Sequence, residues 1–191
     1  MNKHRHFILH KPYGFLSQFV YEGKRKKKKG LLGELYNFPE GTMAIGRLDE
    51  DTEGLIFLTT DGKTSHLIRS NSVEKEYYVQ VDGIITDQAI EQLKKGVEIG
   101  LRNTKYTTNL CDAKKLIPAP NFPERTRKIR DDRHGPTSWV SITISEGKNR
   151  QVRKMTAAVG FPTLRLFRVR IGNIHLNDLK AGEVIEVNGF D

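Results

Sequence analysis

The chain has 191 residues, 37% of them hydrophobic and 29% charged, a normal balance for a soluble fold. No apolar run approaches the ~20 residues of a membrane helix, and a single cysteine, Cys111, excludes an internal disulfide and a cysteine-built metal cluster. The formal net charge of +9 attracts polyanions and releases their counterions, so nucleic acid is the natural partner, against the plainer reading of a generic basic protein.

The N-terminal Met1-Asn2-Lys3-His4-Arg5-His6 is basic, but the apolar stretch after it, Phe7 to Leu9, is too short for a signal peptide. A cytoplasmic protein is expected, with His4 and His6 as tail residues. Phe7 to Gly14 reads as a short strand ended by Pro12 and Gly14. Between Gly23 and Gly30 stand six adjacent cations, which repel one another and bury nothing; this is an exposed loop. As a block it is expected to add nonspecific affinity for nucleic acid, while any one of its lysines reads equally well as a solvated side chain.

Gly46 to Gly62 is the stretch richest in signal. A charged loop carries Asp49, then Leu55 to Leu58 run unbroken, as in a strand buried on both faces, and Asp61-Gly62 closes it with a turn. A carboxylate at the entry of a buried strand has the fixed position and dry neighbourhood that a nucleophile or general base needs. Most loop carboxylates are only solvated, so spacing alone does not assign Asp49.

Gly62 to Arg69 is expected to be a short helix with Leu67 and Ile68 facing in. Lys75 to Val81 alternates as a strand, with Tyr77, Val79 and Val81 on one face and Tyr78 and Gln80 on the other. By pattern alone Tyr77 is a core tyrosine. Thr86 caps a helix through Lys95, with Ala89, Ile90 and Leu93 as its buried stripe and Gly96 as its stop. Residues 116–136 hold four of the seven prolines, a mixed charge run and no periodicity, which makes a long loop, functional or disordered.

Trp139 to Ile144 alternates again, with Val140, Ile142 and Ile144 inward. Glu146 to Asn149 is a turn into a helix, with Asn149 as the expected N-cap and Val152, Met155 and Val159 as the buried stripe. Gly160 and Pro162 end that helix. Arg150 and Lys154 share a face. Arg153 sits about 100° from Val152, at the edge of the stripe. It is either a half-buried arginine in need of an anion or one that snorkels to water. In the strand Leu164 to Ile171, Phe167, Val169 and Ile171 share one face, and Leu164, Leu166, Arg168 and Arg170 the other. The mixed face suits a cleft wall that meets a base and its phosphates, and equally an ordinary half-exposed strand. Ala181-Gly182-Glu183 turns the chain into a last strand, Val184 to Val187. There is no internal repeat, Walker A motif, Rossmann fingerprint or set of His and Cys at zinc spacing.

The pattern G-R-L-D-x-x-T-x-G-L-x-x-L-T-x-D-G over Gly46 to Gly62 resembles the catalytic signature of the RsuA/RluB/RluE group of pseudouridine synthases. Further matches follow in the family's order: His10-Lys11-Pro12-Tyr13-Gly14, with His10 where Asn is usual; Lys75 to Val79; Glu146 to Met155; and Gly160 to Leu166. The resemblance covers the chain from about Ile8 to Val187. Pro136 to Trp139 and Met155 to Ala157 look most like the branch that acts on the large ribosomal subunit.

The resemblance implies an α+β fold with a central mixed or antiparallel sheet, flanking helices and two lobes around a catalytic cleft. It implies a single catalytic domain over residues 1–191. About seven residues precede the first match, so the small S4 domain of many relatives is expected to be absent. The implied reaction isomerises uridine to pseudouridine in ribosomal RNA, free 23S RNA or a pre-ribosomal particle. Asp49 is the implied nucleophile on a flipped-out uridine, and Arg153 the cation that keeps it ionised. Tyr77 stacks on the base, Arg47 fills the space the base leaves, and Leu166 packs on the uracil. Arg150, Lys154 and Arg168 complete the expected substrate contacts. No cofactor or metal is expected, because the glycosidic bond is exchanged within one substrate, and a monomer is the expected state. Two other functions compete with this one. A non-catalytic ribosome-assembly factor would have no chemical need for Asp49, Tyr77 and Arg153 together. A glycoside hydrolase needs a second carboxylate at a set distance, and nothing selects one.

Overall fold

The structure, a computed structural model, describes residues 4–21, 29–70, 73–130 and 132–190. Most of the basic block between Gly23 and Gly30 lies outside the described residues; Lys29 and Gly30 are within them. In chain order the elements are β1 (His6–Lys11), β2 (Phe15–Leu16), β3 (Gly30–Leu31), β4 (Met43–Ile45), β5 (Glu53–Thr59) and α1 (Gly62–Ser70). Then come β6 (Lys75–Asp82), α2 (Asp87–Lys95), β7 (Glu98–Leu101), β8 (Thr104–Thr107), β9 (Asp112–Lys115), β10 (Thr137–Ile144) and α3 (Gln151–Ala158). The last are β11 (Thr163–Ile171), β12 (Ile174–His175) and β13 (Val184–Val187). The class is α+β, with a mixed sheet and, among the described residues, three α-helices.

The chain divides into two compact units. One holds the residues up to Val73 and those from Arg168 onward; the other runs from Glu74 to Phe167. In the first, β1 pairs antiparallel with β13 on one edge and β5 on the other, with Lys11 opposite Gly54 and Ile8 opposite Phe57. All seven residues of β5 are buried, as its unbroken apolar run predicts for a strand covered on both faces. Leu55 and Phe57 pack with Ile45, Ile171 and Leu176, and Phe190 stacks on the Phe57 ring at 4.4 Å. Gly54 has φ +107°, and a Cβ there would lie 2.3 Å from the Arg168 carbonyl oxygen, so only glycine lets β5 and β11 approach at that point.

In the second unit the strand order is β11, β6, β10, β9. Residues Tyr77, Val79 and Val81 of β6 and Val140, Ile142 and Ile144 of β10 are buried, as their alternation requires. Helix α2 begins where expected, with the Thr86 hydroxyl accepting the Ala89 amide at 3.2 Å, and Gly96 closes it at φ +90°.

Two expectations are corrected. Leu67 is 58% exposed, while Ser65 is buried and Ile68 packs on the core. Neighbours on a helix point about 100° apart, and the narrow inward face of α1 accepts Ile68 and turns Leu67 to solvent. The N-cap of α3 is Arg150, in the left-handed region at φ +51°, not Asn149. The segment 116–136 is a long loop, as its prolines and lack of periodicity predict, and some of its described residues are tied down. Its Phe122 ring stacks on Phe167 at 3.8 Å, Arg165 Nη2 donates to the Pro123 carbonyl at 2.8 Å, and Arg130 grips both oxygens of Asp82.

Candidate active site

The expected site residues fall in both units. Arg47, Asp49 and Arg168 belong to the first; Tyr77, Arg150, Arg153, Lys154 and Leu166 belong to the second.

Asp49 stands four residues before β5 and is half-buried; Arg47, two residues earlier, is exposed. Its backbone is held from both sides. The Ser17 hydroxyl accepts the Leu48 amide at 2.9 Å and donates to the Leu48 carbonyl at 2.7 Å. The Thr52 amide closes a turn onto the Asp49 carbonyl at 3.1 Å, and the Gly14 amide donates to the Glu50 carbonyl at 2.9 Å. Leu48 is buried beneath this turn. The Asp49 side chain therefore leaves a backbone whose neighbours are bonded on both sides, as pre-organised chemistry requires.

A buried cation that supports this turn is Lys11, whose importance the sequence reading did not single out. It is 0% exposed. Its Nζ donates to the carbonyls of Phe15 at 2.7 Å, Pro12 at 2.9 Å and, at a long 3.4 Å, Glu50. It forms no carboxylate ion pair among the described residues; main-chain oxygens solvate it. Burial pulls its ammonium down to about 8, while Glu53, Asp51, Asp49 and Glu50 oppose that by favouring the charge. Lys11 thus ties the end of β1, the start of β2 and the Asp49 turn together. The signal for it was the His10-Lys11-Pro12-Tyr13-Gly14 match, where a lysine ends an apolar strand. Lys29, the last cation of the basic block, pairs with the Glu50 carboxylate, one residue beyond Asp49.

Arg168 departs from the cationic face expected of β11. It is 4% exposed, and its Nε donates to the Leu55 carbonyl at 2.7 Å. Its guanidinium braces the strand that follows Asp49.

In the second unit Tyr77 is 9% exposed on the inner face of β6, opposite Ile142 of β10. Leu166 is buried on β11. Arg153, the third residue of α3, and Lys154 are half-buried, and Arg150 is exposed. Cys111 is no rival nucleophile: burial pushes its thiol up to about 11, and its Sγ donates to the Leu93 carbonyl at 3.1 Å. Among the described residues no group of three or more His, Cys, Asp or Glu is placed to hold a metal ion, and no helix is long and apolar enough to cross a membrane.

Comparisons with known proteins bear on the same residues. The profile described as RNA pseudouridylate synthase matches residues 5–158, which include Asp49, Tyr77 and Arg153. The chain is 43% identical to ribosomal large subunit pseudouridine synthase E of Vibrio parahaemolyticus, over 94% of this chain and 72% of that one. It is 40% identical to the protein of the same name from Xanthomonas axonopodis pv. citri, over 90% of this chain and 88% of that one. Among solved structures, a pseudouridylate synthase crystal structure aligns with a TM-score of 0.75 at 28% identity, covering 98% of this chain and 72% of that chain.

Proposed function

The chain belongs to the RNA pseudouridylate synthase family, and we propose from that premise that it isomerises one uridine of large-subunit ribosomal RNA, with Asp49 as nucleophile. The reaction breaks the N1–C1′ bond, turns the uracil and joins C5 to C1′, so the target base must first leave its stack, which costs a few kcal/mol. Asp49 attacks as the carboxylate. Arg153 supplies the positive charge that keeps it ionised. Tyr77 stacks on the base and assists loss of the C5 proton, and Leu166 packs on the uracil. Arg47 fills the space the base vacates, and Arg150 and Lys154 take phosphates. Arg168, buried against Leu55, holds β5 rather than RNA. A monomer acting on ribosomal RNA in the cytoplasm completes the reading.

The observation that supports this most is the treatment of the Asp49 turn. Ser17, Gly14, Thr52 and Lys11 all bond to backbone within two residues of it or to the segment that carries those bonds. A protein that merely adheres to RNA has no use for an acidic residue whose backbone is held so closely.

The test is Asp49→Asn, which keeps size and removes charge. Purified protein is incubated with ribosomal RNA, and pseudouridine is mapped by mass spectrometry. Turnover is expected to vanish while RNA affinity stays within about threefold of wild type. Retained turnover refutes the nucleophile; loss of pseudouridine formation from the wild type as well leaves the assembly-factor function instead.

A further inference from the structure

One side-chain cluster in the second unit has no part in the reading above. The Glu146 carboxylate, in the turn between β10 and α3, accepts three hydrogen bonds. The Tyr106 hydroxyl, from β8, donates to Oε2 at 2.5 Å. The Asn109 amide and the Gln151 Nε2 donate to Oε1 at 2.9 and 2.6 Å. Gln151, only 3% exposed, in turn accepts the Lys148 amide on its Oε1 at 2.9 Å, reaching back over the helix start as a capping side chain does. Lys148 Nζ lies 4.7 Å above the Tyr106 ring.

Between Lys148 and Gln151 of this cluster stands Arg150, which shares positive φ with the non-glycine residues Arg102 and Asn177. Arg150 is the N-cap of α3 in the left-handed region, and it carries no acceptor with which to cap the helix. Residues other than glycine stay in that region only where their surroundings over-determine it, and such positions gather at functional sites. Here the surroundings include the Gln151 reach-back and the Glu146 carboxylate that orients Gln151.

We propose that Glu146, held between Tyr106 and Gln151, is a positioning residue for RNA isomerisation: it fixes the left-handed turn at Arg150 and so the directions in which Arg150 and Arg153 leave the start of α3. Tyr106 brings the β7–β8 hairpin into the same role. Burial alone would raise the Glu146 carboxyl, but the hydrogen bonds from Tyr106, the Asn109 amide and Gln151, with the Lys148 charge, hold it below its ordinary range. The acceptor is therefore ionised at neutral pH, the state in which it takes all three bonds. The inference rests on the role given to Arg153 above.

The experiment is a double-mutant cycle with a spectroscopic arm. Glu146→Gln and Tyr106→Phe are each made alone and with Arg153→Met. Single-turnover rates on ribosomal RNA transcripts and RNA affinity are measured, and the Arg153 Nε–H resonance is followed by NMR. In the wild-type background Glu146→Gln is expected to slow the chemical step roughly 10- to 100-fold, as an ångström of misplacement does, with affinity changed less than about threefold. In the Arg153→Met background it is expected to cost under about threefold, because the two act as one unit. Tyr106→Phe, which removes one hydroxyl and leaves the fold intact, shows the same pattern on a smaller scale, and both variants move the Arg153 resonance. An equal rate loss in both backgrounds, or an Arg153 resonance that stays put in Tyr106→Phe, overturns the positioning role. If the wild type forms no pseudouridine, the enzymatic reading fails and the positioning role falls with it, whereas an active wild type with an unmoved Arg153 resonance overturns the positioning role alone.

Discussion

Replacing Lys11 by methionine keeps the length of the side chain and removes a charge that solvent does not reach. Two effects then oppose each other. Lowering of the ammonium from 10.5 to about 8 corresponds to about 3 kcal/mol of burial cost at neutral pH, which methionine relieves. Against this, the Pro12 and Phe15 carbonyls lose their donor, at about 1–3 kcal/mol each. The Glu50 carbonyl keeps the Gly14 amide. The net change at pH 7 is therefore small, between about 1 kcal/mol of gain and 3 of loss, or a fall in Tm of at most about 6–12 °C for a chain of this size. The sharper result is its pH dependence. Below pH 8 the folded and unfolded chains both hold the proton, and the burial cost is fully present. Between about 8 and 10.5 the unfolded chain binds more proton than the folded one, so the wild type gains stability with rising pH; above 10.5 the cost is gone. Urea unfolding of both proteins at intervals from pH 7 to 10.5 measures the difference, in which the other titrating groups cancel. The stability of wild type relative to Lys11→Met is expected to rise by about 3 kcal/mol across that window. A flat difference would mean that Lys11 is not the buried ammonium described, and the bracing of the Asp49 turn would lose its cation.

The tight crossing of β5 and β11 makes Gly54→Ala severe: the new Cβ meets the Arg168 carbonyl oxygen at 2.3 Å and its amide nitrogen at 2.8 Å, from a backbone at φ +107°. A loss of at least about 3 kcal/mol is expected in urea unfolding, as for other large steric and backbone defects, and a loss under 1 kcal/mol contradicts that geometry. Replacing Lys24, Lys26, Lys27 and Lys28 by serine, with Lys29 kept because it pairs with Glu50, is expected to flatten the salt dependence of RNA binding by up to about 0.7–0.9 in slope per lysine that contacts a phosphate. A slope equal to that of wild type would remove the basic block from the RNA interface.

Strand β5, helix α2 and the inner face of β6 were legible because each is governed by neighbours in sequence. An unbroken apolar run, a threonine cap with a glycine stop, and a two-residue alternation each state their own geometry. The Asp49 motif was legible through its resemblance to a family signature, and the structure supplies the steric reason for its Gly54, whose Cβ would meet the Arg168 carbonyl oxygen. Leu67 was misplaced because two adjacent apolar residues on a short helix do not say which of them the core will take. The phosphate-facing expectation for Arg168 gave way to burial because the Leu55 carbonyl, more than a hundred positions away, claims its guanidinium.

Local periodicity and turn chemistry were therefore enough to identify β5, β6, α2 and the loop that carries the acidic residue, while the family signature rested on the resemblance. What surrounds each polar side chain was decided only by tertiary structure. Lys11 is enclosed by carbonyls from three segments, one of them 39 residues on, and Glu146 is held by a tyrosine 40 residues before it. Whether a charge is solvated or buried depends on which distant backbone atoms close around it, and pattern within one stretch of chain carries no record of them.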